Sequence, residues 1–207
     1  MEFINKIKQR LSESLPGPEY QRLMGPPLRG LEKKSSENPP VVACVLVLLY
    51  PKEDQWFFAL MQRAPHDKDR HSGQISFPGG RYEESDETLE YCALRELEEE
   101  VGIPTDEVTV IGQLSELFIP VSNFQVYPFV GYLNETPTFI PQPTEVQHVI
   151  EVPVEMLKDV SNQKTIDLRV RKNIILKNTP YFDFYENMVW GATAMMLSEF
   201  RAVVLGE

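Results

Sequence analysis

Three carboxylates, Glu96, Glu99 and Glu100, stand at i, i+3 and i+4 in a stretch of helical composition. That spacing sends all three from roughly one face of a helix. The arrangement is locally unfavourable. Glu96 and Glu100 repel as a like-charged i,i+4 pair by about 0.2–0.5 kcal/mol. Glu99 and Glu100 also fall in a last turn, where the helix dipole disfavours negative charge by roughly 0.3–1 kcal/mol. Helix stability alone would favour lysine there. Residues that break a local rule mark function, and clustered carboxylate oxygens are the ligands that hard cations such as Mg²⁺ or Mn²⁺ take. The plainer reading of such a run, taken alone, is a solvated acidic face.

The wider charge pattern narrows the partners. The chain has 207 residues and a net charge of −11. From Glu83 to Glu100 it carries nine acids and one base, Arg95, so most of that charge sits in one place. A nucleic-acid-binding surface would need the opposite sign. Hydrophobic residues make up 42% and charged residues 25%, the mix of a globular protein with a sizeable core. The longest apolar run, Val41 to Tyr50, is about half of what a bilayer-spanning helix needs, and the first residues lack the apolar core of a signal peptide. A cytoplasmic location with no membrane partner is expected. Two cysteines, Cys44 and Cys92, can build neither a disulfide framework nor a cysteine-type zinc site.

The elements that must position the carboxylates read as follows. Residues 2 to about 15 have helical composition, and a Pro/Gly-punctuated linker then runs to Pro40, so residues 1–40 form an N-terminal extension to a domain over 41–207. Val41–Tyr50 and Trp56–Arg63 read as a hairpin with one well-buried strand. Gly73–Phe77 reads as a short strand, Pro78-Gly79-Gly80 as a break, and Asp86–Val101 as a helix capped by Ser85 or Asp86 and closed by Gly102. Its residues Ala93, Leu94, Leu97 and Val101 share the face that packs on a sheet. Strands follow over Val108–Leu117, Gln125–Leu133 and Val146–Val152, with a β-rich stretch over Thr165–Tyr185. A packing helix is expected from Glu186 to about Val204, with Trp190 and Met195-Met196 in its core face. The fold class is α+β, mixed strands with two or three helices in an α/β/α sandwich.

The acidic run sits in a longer string: Gly79-Gly80, six residues, Glu87, seven residues, then Arg95-Glu96-Leu97-Glu98-Glu99-Glu100-Val101-Gly102-Ile103. This closely resembles the signature of the Nudix hydrolases. Its second half fits at every fixed position, a match expected by chance less than about once in a million positions. Gly80 precedes Glu87 by one residue more than the general signature allows. Either Asp86 or Glu87 can therefore fill the first acidic position, and the distance to Arg95 favours Glu87. Upstream, Ala59 to Ala64 and Gly73-Gln74-Ile75-Ser76-Phe77-Pro78-Gly79-Gly80 resemble the coenzyme A pyrophosphatases of that family. Met61 replaces a threonine, and the loop between the blocks is one residue longer. Gln125 to Gly131, Glu145-Val146 and Val189 to Ala194 look like further landmarks of that subfamily.

The resemblance implies a Nudix-type α/β/α sandwich that cuts a diphosphate linkage by metal-assisted attack of water on phosphorus. Glu96, Glu99 and Glu100 would hold Mg²⁺ or Mn²⁺ and lower the pKa of the water. Arg95 would orient those glutamates by ion pairing rather than touch substrate. Some relatives use a carboxylate on a later loop as general base, which makes Glu145 a catalytic candidate beside Glu96, Glu99 and Arg95. Arg63 and either Lys68 or Arg70 are candidate substrate-binding bases. Gly79 and Gly80 belong to the same substrate loop, as backbone requirements more than ligands. His71 could touch a phosphate, though a histidine in a polar loop is more often merely solvated. The implied substrate is a CoA-like nucleotide diphosphate, cut to 3′,5′-ADP and 4′-phosphopantetheine. ADP-ribose or a nucleotide sugar is the alternative, and a non-catalytic nucleotide sensor the reading from another class. Oligomeric state stays open, a homodimer among the options.

Overall fold

A computed structural model describes residues 1–27, 38–65, 73–171 and 174–207. The chain runs α1 (Glu2–Leu11), α2 (Gly17–Leu23), β1 (Val41–Lys52), β2 (Gln55–Arg63), β3 (Ile75–Ser76), β4 (Gly79–Arg81) and α3 (Leu89–Val101). There follow β5 (Thr109–Gln113), β6 (Leu117–Ile119), β7 (Phe124–Tyr132), β8 (Val146–Pro153), α4 (Val154–Lys158), β9 (Gln163–Arg171), β10 (Ile174–Phe184), β11 (Asn187–Trp190) and α5 (Gly191–Leu205). The main sheet is mixed, in the order β3-β2-β1-β7-β5, with β4 on β1, β6 on β7 and β8 on β2. Strands β1 and β7 are parallel, and β11-β10-β9 form a second, antiparallel sheet.

The unbroken apolar character of β1 follows from burial on both faces. Val47 and Leu49 join a core with α1, α5 and the second sheet, through Ile7, Phe200, Phe182 and Phe184. Cys44, Leu46, Leu48 and Tyr50 face the other way, onto Cys92, Ala93, Leu97 and Val101 of α3. The sheet is thus sandwiched between α3 on one side and α1 and α5 on the other. The β1–β2 hairpin closes through Glu53 and Asp54, both at positive φ (51° and 58°), the backbone that two-residue hairpin turns require.

Several expected boundaries move, each for a local reason. Helix α3 starts at Leu89 rather than Asp86, because the Asp86 carboxylate turns back to accept the Glu83 N–H at 2.9 Å, and Thr88 Oγ1 caps the helix by accepting the Tyr91 N–H at 3.0 Å. The expected break at Pro78-Gly79-Gly80 contains a strand, β4, paired antiparallel with Ala43–Val45. The expected strand 108–117 divides where the Ser115 N–H leaves the ladder for the buried Glu199 carboxylate, at 3.0 Å. At the N-terminus the first helix ends at Leu11, and the stretch read as linker holds a second helix with Pro18 in its first turn. Both helices pack on the domain: Ile4, Ile7 and Leu11 enter the core, and Gln21 donates to Glu199 Oε2 at 2.8 Å. The last helix starts at Gly191, five residues late, because Tyr185 and Glu186 form a positive-φ turn that pairs Phe184 with Asn187.

Candidate active site

Arg95 stands near the middle of α3 and uses its whole guanidinium. Nε donates to Asp86 Oδ1 at 2.7 Å and Nη2 to Asp86 Oδ2 at 3.0 Å, while Nη2 also reaches the Arg81 carbonyl at 3.0 Å. Nη1 donates to Glu96 Oε1 at 3.0 Å and Glu99 Oε2 at 2.9 Å. A planar fork with five N–H donors is the side chain that can do this at once. The buried Asp86 carboxyl is held well below its ordinary range, at about 2, by its hydrogen bonds to Arg95 and to the Glu83 amide. Asp86, not Glu87, therefore fills the first acidic position. The preference for Glu87 came from counting back from Arg95; a longer path between the turn and α3 absorbs the extra residue.

Strand β4 lies against the same carboxylates. The Gly79 N–H donates to Glu100 Oε2 at 2.8 Å, and Arg63 Nη1, from the end of β2, lies 3.6 Å from Glu100 Oε1. A Cβ on Gly80 would overlap the Glu96 carboxylate, and one on Gly79, at φ 152°, would strike the β1 backbone. Glycine at both positions is what lets the strand approach α3. Burial pushes the Glu100 carboxyl up to about 8, with the Gly79 amide and Arg63 pulling it back and Glu96 and Glu145 raising it. Burial also raises Glu96; Arg95 lowers it, and the charges of Glu99 and Glu145 raise it again. Glu99 is exposed, so the three glutamates span a range from solvent to core.

The structure thus brings Arg63, Gly79, Gly80, Arg95, Glu96, Glu99 and Glu100 together, and Glu145 within electrostatic reach of Glu96 and Glu100. Glu145 follows the turn before β8, and its carbonyl accepts the Ala64 N–H at 2.7 Å, next to Arg63. Lys68, Arg70 and His71 lie outside the described residues. Sequence reasoning kept Asp86 as its second choice and misplaced Trp190. Asp86 was legible in the Gly80-x5 spacing alone. Trp190 is not a core residue of α5 but the half-exposed last residue of β11, lining a cavity beside Gln62 and Gln74.

Among the described residues no three carboxylates, imidazoles or thiols converge on one point. Arg95 Nη1 holds Glu96 and Glu99, while Glu100 is held apart from them by the Gly79 amide. The donor chemistry nonetheless fits a hard divalent cation, since the candidate ligands are all carboxylate oxygens.

Comparison with known proteins places this geometry. The NUDIX domain family matches residues 40–172. A Pectobacterium atrosepticum protein named "Uncharacterized Nudix hydrolase NudL" is 33% identical over 141 residues, covering 68% of this chain and 71% of its own. A Yersinia pestis protein of the same name is 36% identical over 139 residues, 67% of each chain. Among solved structures, the Nudix hydrolase RenU of M. smegmatis superposes with a TM-score of 0.56 at 18% identity, over 82% of this chain and 88% of its own. A MutT/nudix family protein of Enterococcus faecalis gives 0.54 at 18% identity, over 84% and 66%. At these identities the two structures speak for the fold, and the relatives and the domain match speak for the family. No helix among the described residues is long and apolar enough to cross a membrane. The domain match and these relatives show that the chain belongs to the Nudix hydrolase family.

Proposed function

We propose that this Nudix hydrolase cleaves the diphosphate bond of coenzyme A or its derivatives, releasing 3′,5′-ADP and 4′-phosphopantetheine, with Mg²⁺ or Mn²⁺ as the working ion. The observation that carries the reading is the meeting of Glu100, the Gly79 amide and Arg63 at one end of the sheet. That meeting joins the box to the upstream block resembling the coenzyme A pyrophosphatases.

The reading assigns the roles as follows. Glu96, Glu99 and Glu100 would hold the ion, which when bound supplies charge neutralisation at the diphosphate oxygens and acidifies the attacking water. Arg95, fixed by Asp86, orients Glu96 and Glu99. Arg63, a cation beside Glu100, binds a diphosphate oxygen. Glu145 takes the proton from the attacking water. The water oxygen bonds to one phosphorus, the bridging P–O bond breaks, and the bridging oxygen leaves with the other phosphate.

The test is a product-resolved screen of CoA, acetyl-CoA, ADP-ribose, NADH and dinucleoside polyphosphates with each metal. The reading expects CoA or an acyl-CoA to give the highest kcat/KM. A higher value on ADP-ribose would overturn the CoA assignment.

A further inference from the structure

A cavity of about 270 Å³ opens beside the end of β2, lined by Gln62, Gln74 and Ile75 on one side and by Glu186, Asn187 and Trp190 on the other. Its volume lies just below the usual range for small-molecule sites, so it holds one ring system rather than a whole nucleotide. Its described lining offers three amide side chains, one acid and no cation. None of these described groups offers a phosphate a positive charge. The fitting guest is neutral, planar and able both to donate and to accept hydrogen bonds along its edge. Side-chain amides match an adenine edge in this way, and an indole supplies a stacking face.

The cavity's position relates it to the diphosphate site. Gln62 and Arg63 are consecutive residues of β2, so their side chains leave on opposite faces. Gln62 pairs across the ladder with Ile75, on the side of the sheet where the Thr193 hydroxyl donates to the Ile75 carbonyl at 3.0 Å. Arg63 faces Glu100 on the α3 side. A nucleotide bent over the end of β2 would leave its diphosphate on Arg63 and its base beside Gln62. The Gln62 and Asn187 amides are partly held already, donating to the Gly73 carbonyl at 3.4 Å and the Tyr185 carbonyl at 3.2 Å.

We propose that the cavity between β3 and the β10–β11 turn is the seat of the substrate's adenine ring, with Trp190 as the stacking face and Gln62, Gln74 and Asn187 reading its edge. This rests on the reading of an adenine nucleotide diphosphate as substrate. It adds base recognition on the face of the sheet opposite the metal-ligand candidates.

The test separates binding from hydrolysis. A Trp56→Phe variant leaves Trp190 as the single indole, since the chain has two tryptophans. Titrating adenosine into it without metal should change the fluorescence saturably, while ribose 5-phosphate and pantetheine should leave it unchanged. Gln74→Ala, which leaves the indole in place, should weaken adenosine at least about fivefold. In turnover, Trp190→Leu should raise KM for CoA at least about fivefold with little change in kcat. No response to adenosine, a saturable response to pantetheine, or Gln74→Ala binding adenosine as tightly as its parent would overturn the proposal. Adenosine binding by a protein that hydrolyses none of the screened diphosphates would leave the base seat standing and remove the hydrolase reading alone.

Discussion

Asp86 and Arg95 meet side by side through two hydrogen bonds, of 2.7 and 3.0 Å, although Asp86 lies before α3 and Arg95 within it. The pair is largely buried, with the Asp86 side chain inaccessible and that of Arg95 16% exposed. Removing one partner of such a pair leaves an unbalanced buried charge, which costs roughly 3–5 kcal/mol. The remaining N–H groups of Arg95 hold Glu96 and Glu99. The stability of the turn and the aim of the glutamates therefore rest on one guanidinium.

Arg95→Lys tests that coupling. Lysine keeps the charge but cannot bond Asp86, Glu96 and Glu99 together, so kcat/KM should fall at least about tenfold, equivalent to roughly 1.4 kcal/mol of transition-state stabilisation. Steady-state kinetics at saturating metal read this directly, and an unaltered kcat/KM would refute the orienting role.

Acid stability reports the same pair. The folded Asp86 carboxyl titrates at about 2 against an ordinary 3.8, so its contribution is fully present above pH 4 and is lost as pH falls through 3.8 toward 2. The shift corresponds to about 2 kcal/mol. Asp86→Asn should lower stability at pH 7 and flatten the acid limb of a urea-unfolding series between pH 5 and 2. A variant whose acid limb runs parallel to the parent's would show that Asp86 does not titrate with folding.

Glu100 has the opposite sign. Its folded carboxyl titrates at about 8 against 4.5, so without metal the folded state keeps a proton that the unfolded chain gives up, and stability falls as pH rises from 4.5 to 8. Glu100→Gln should raise the metal-free Tm at pH 8 by at least about 4 °C and leave it nearly unchanged at pH 4. Divalent-ion affinity of the parent should climb over the same window, because the ligand must lose its proton. Calorimetric titration of Mn²⁺ at pH 6 and pH 8 checks this, equal affinity being the contrary result.

Glu99→Gln and Glu100→Gln should each lower kcat severely. Glu99 pairs with Arg95 from a side chain 57% exposed, so its loss should shift metal-free stability by no more than about 0.5 kcal/mol. Near-normal turnover in both variants would remove the metal-ligand assignment.

The sequence made the box legible because its chemistry is local: a helix, a spacing of three and four residues, and a glycine that ends it. Gly102 does close α3 in the left-handed region, at φ 72°. The β1–β2 hairpin was legible for the same reason, with alternating cores on both faces of β1. What periodicity could not show were partners set by tertiary contact. Asp86 looks like a helix cap until the fold turns its carboxylate toward Arg95. Trp190 looks like one more apolar residue of a helix until the Tyr185-Glu186 turn makes its neighbours a strand. Helix α2 hides in a Pro/Gly-rich stretch because its stability comes from packing on α5, through Gln21, Glu199 and the Ser198 hydroxyl bonded to the Tyr20 carbonyl at 2.7 Å.

The remaining prediction concerns what distinguishes CoA from its relatives. CoA carries a 3′-phosphate that ADP-ribose and dephospho-CoA lack, and a chain of net charge −11 must place local cations to accept another dianion. Three bases were candidates, and the structure separates one of them by place. Arg63 lies 3.6 Å from Glu100, and the proposed function therefore assigns it to the diphosphate rather than to a distant phosphate. Arg63→Ala should therefore lower kcat/KM on CoA and dephospho-CoA by the same factor. Lys68 and Arg70, which follow in the sequence, carry the proposed discrimination. Alanine at the relevant one should raise KM for CoA at least about fivefold more than for dephospho-CoA, with kcat little changed, because the contact is remote from the broken bond. The measurement compares both substrates across the three variants at fixed salt and metal, since ionic strength screens such contacts. A parent enzyme indifferent to the 3′-phosphate, or equal losses on both substrates in the Lys68 and Arg70 variants, would leave a diphosphate hydrolase whose substrate is chosen elsewhere.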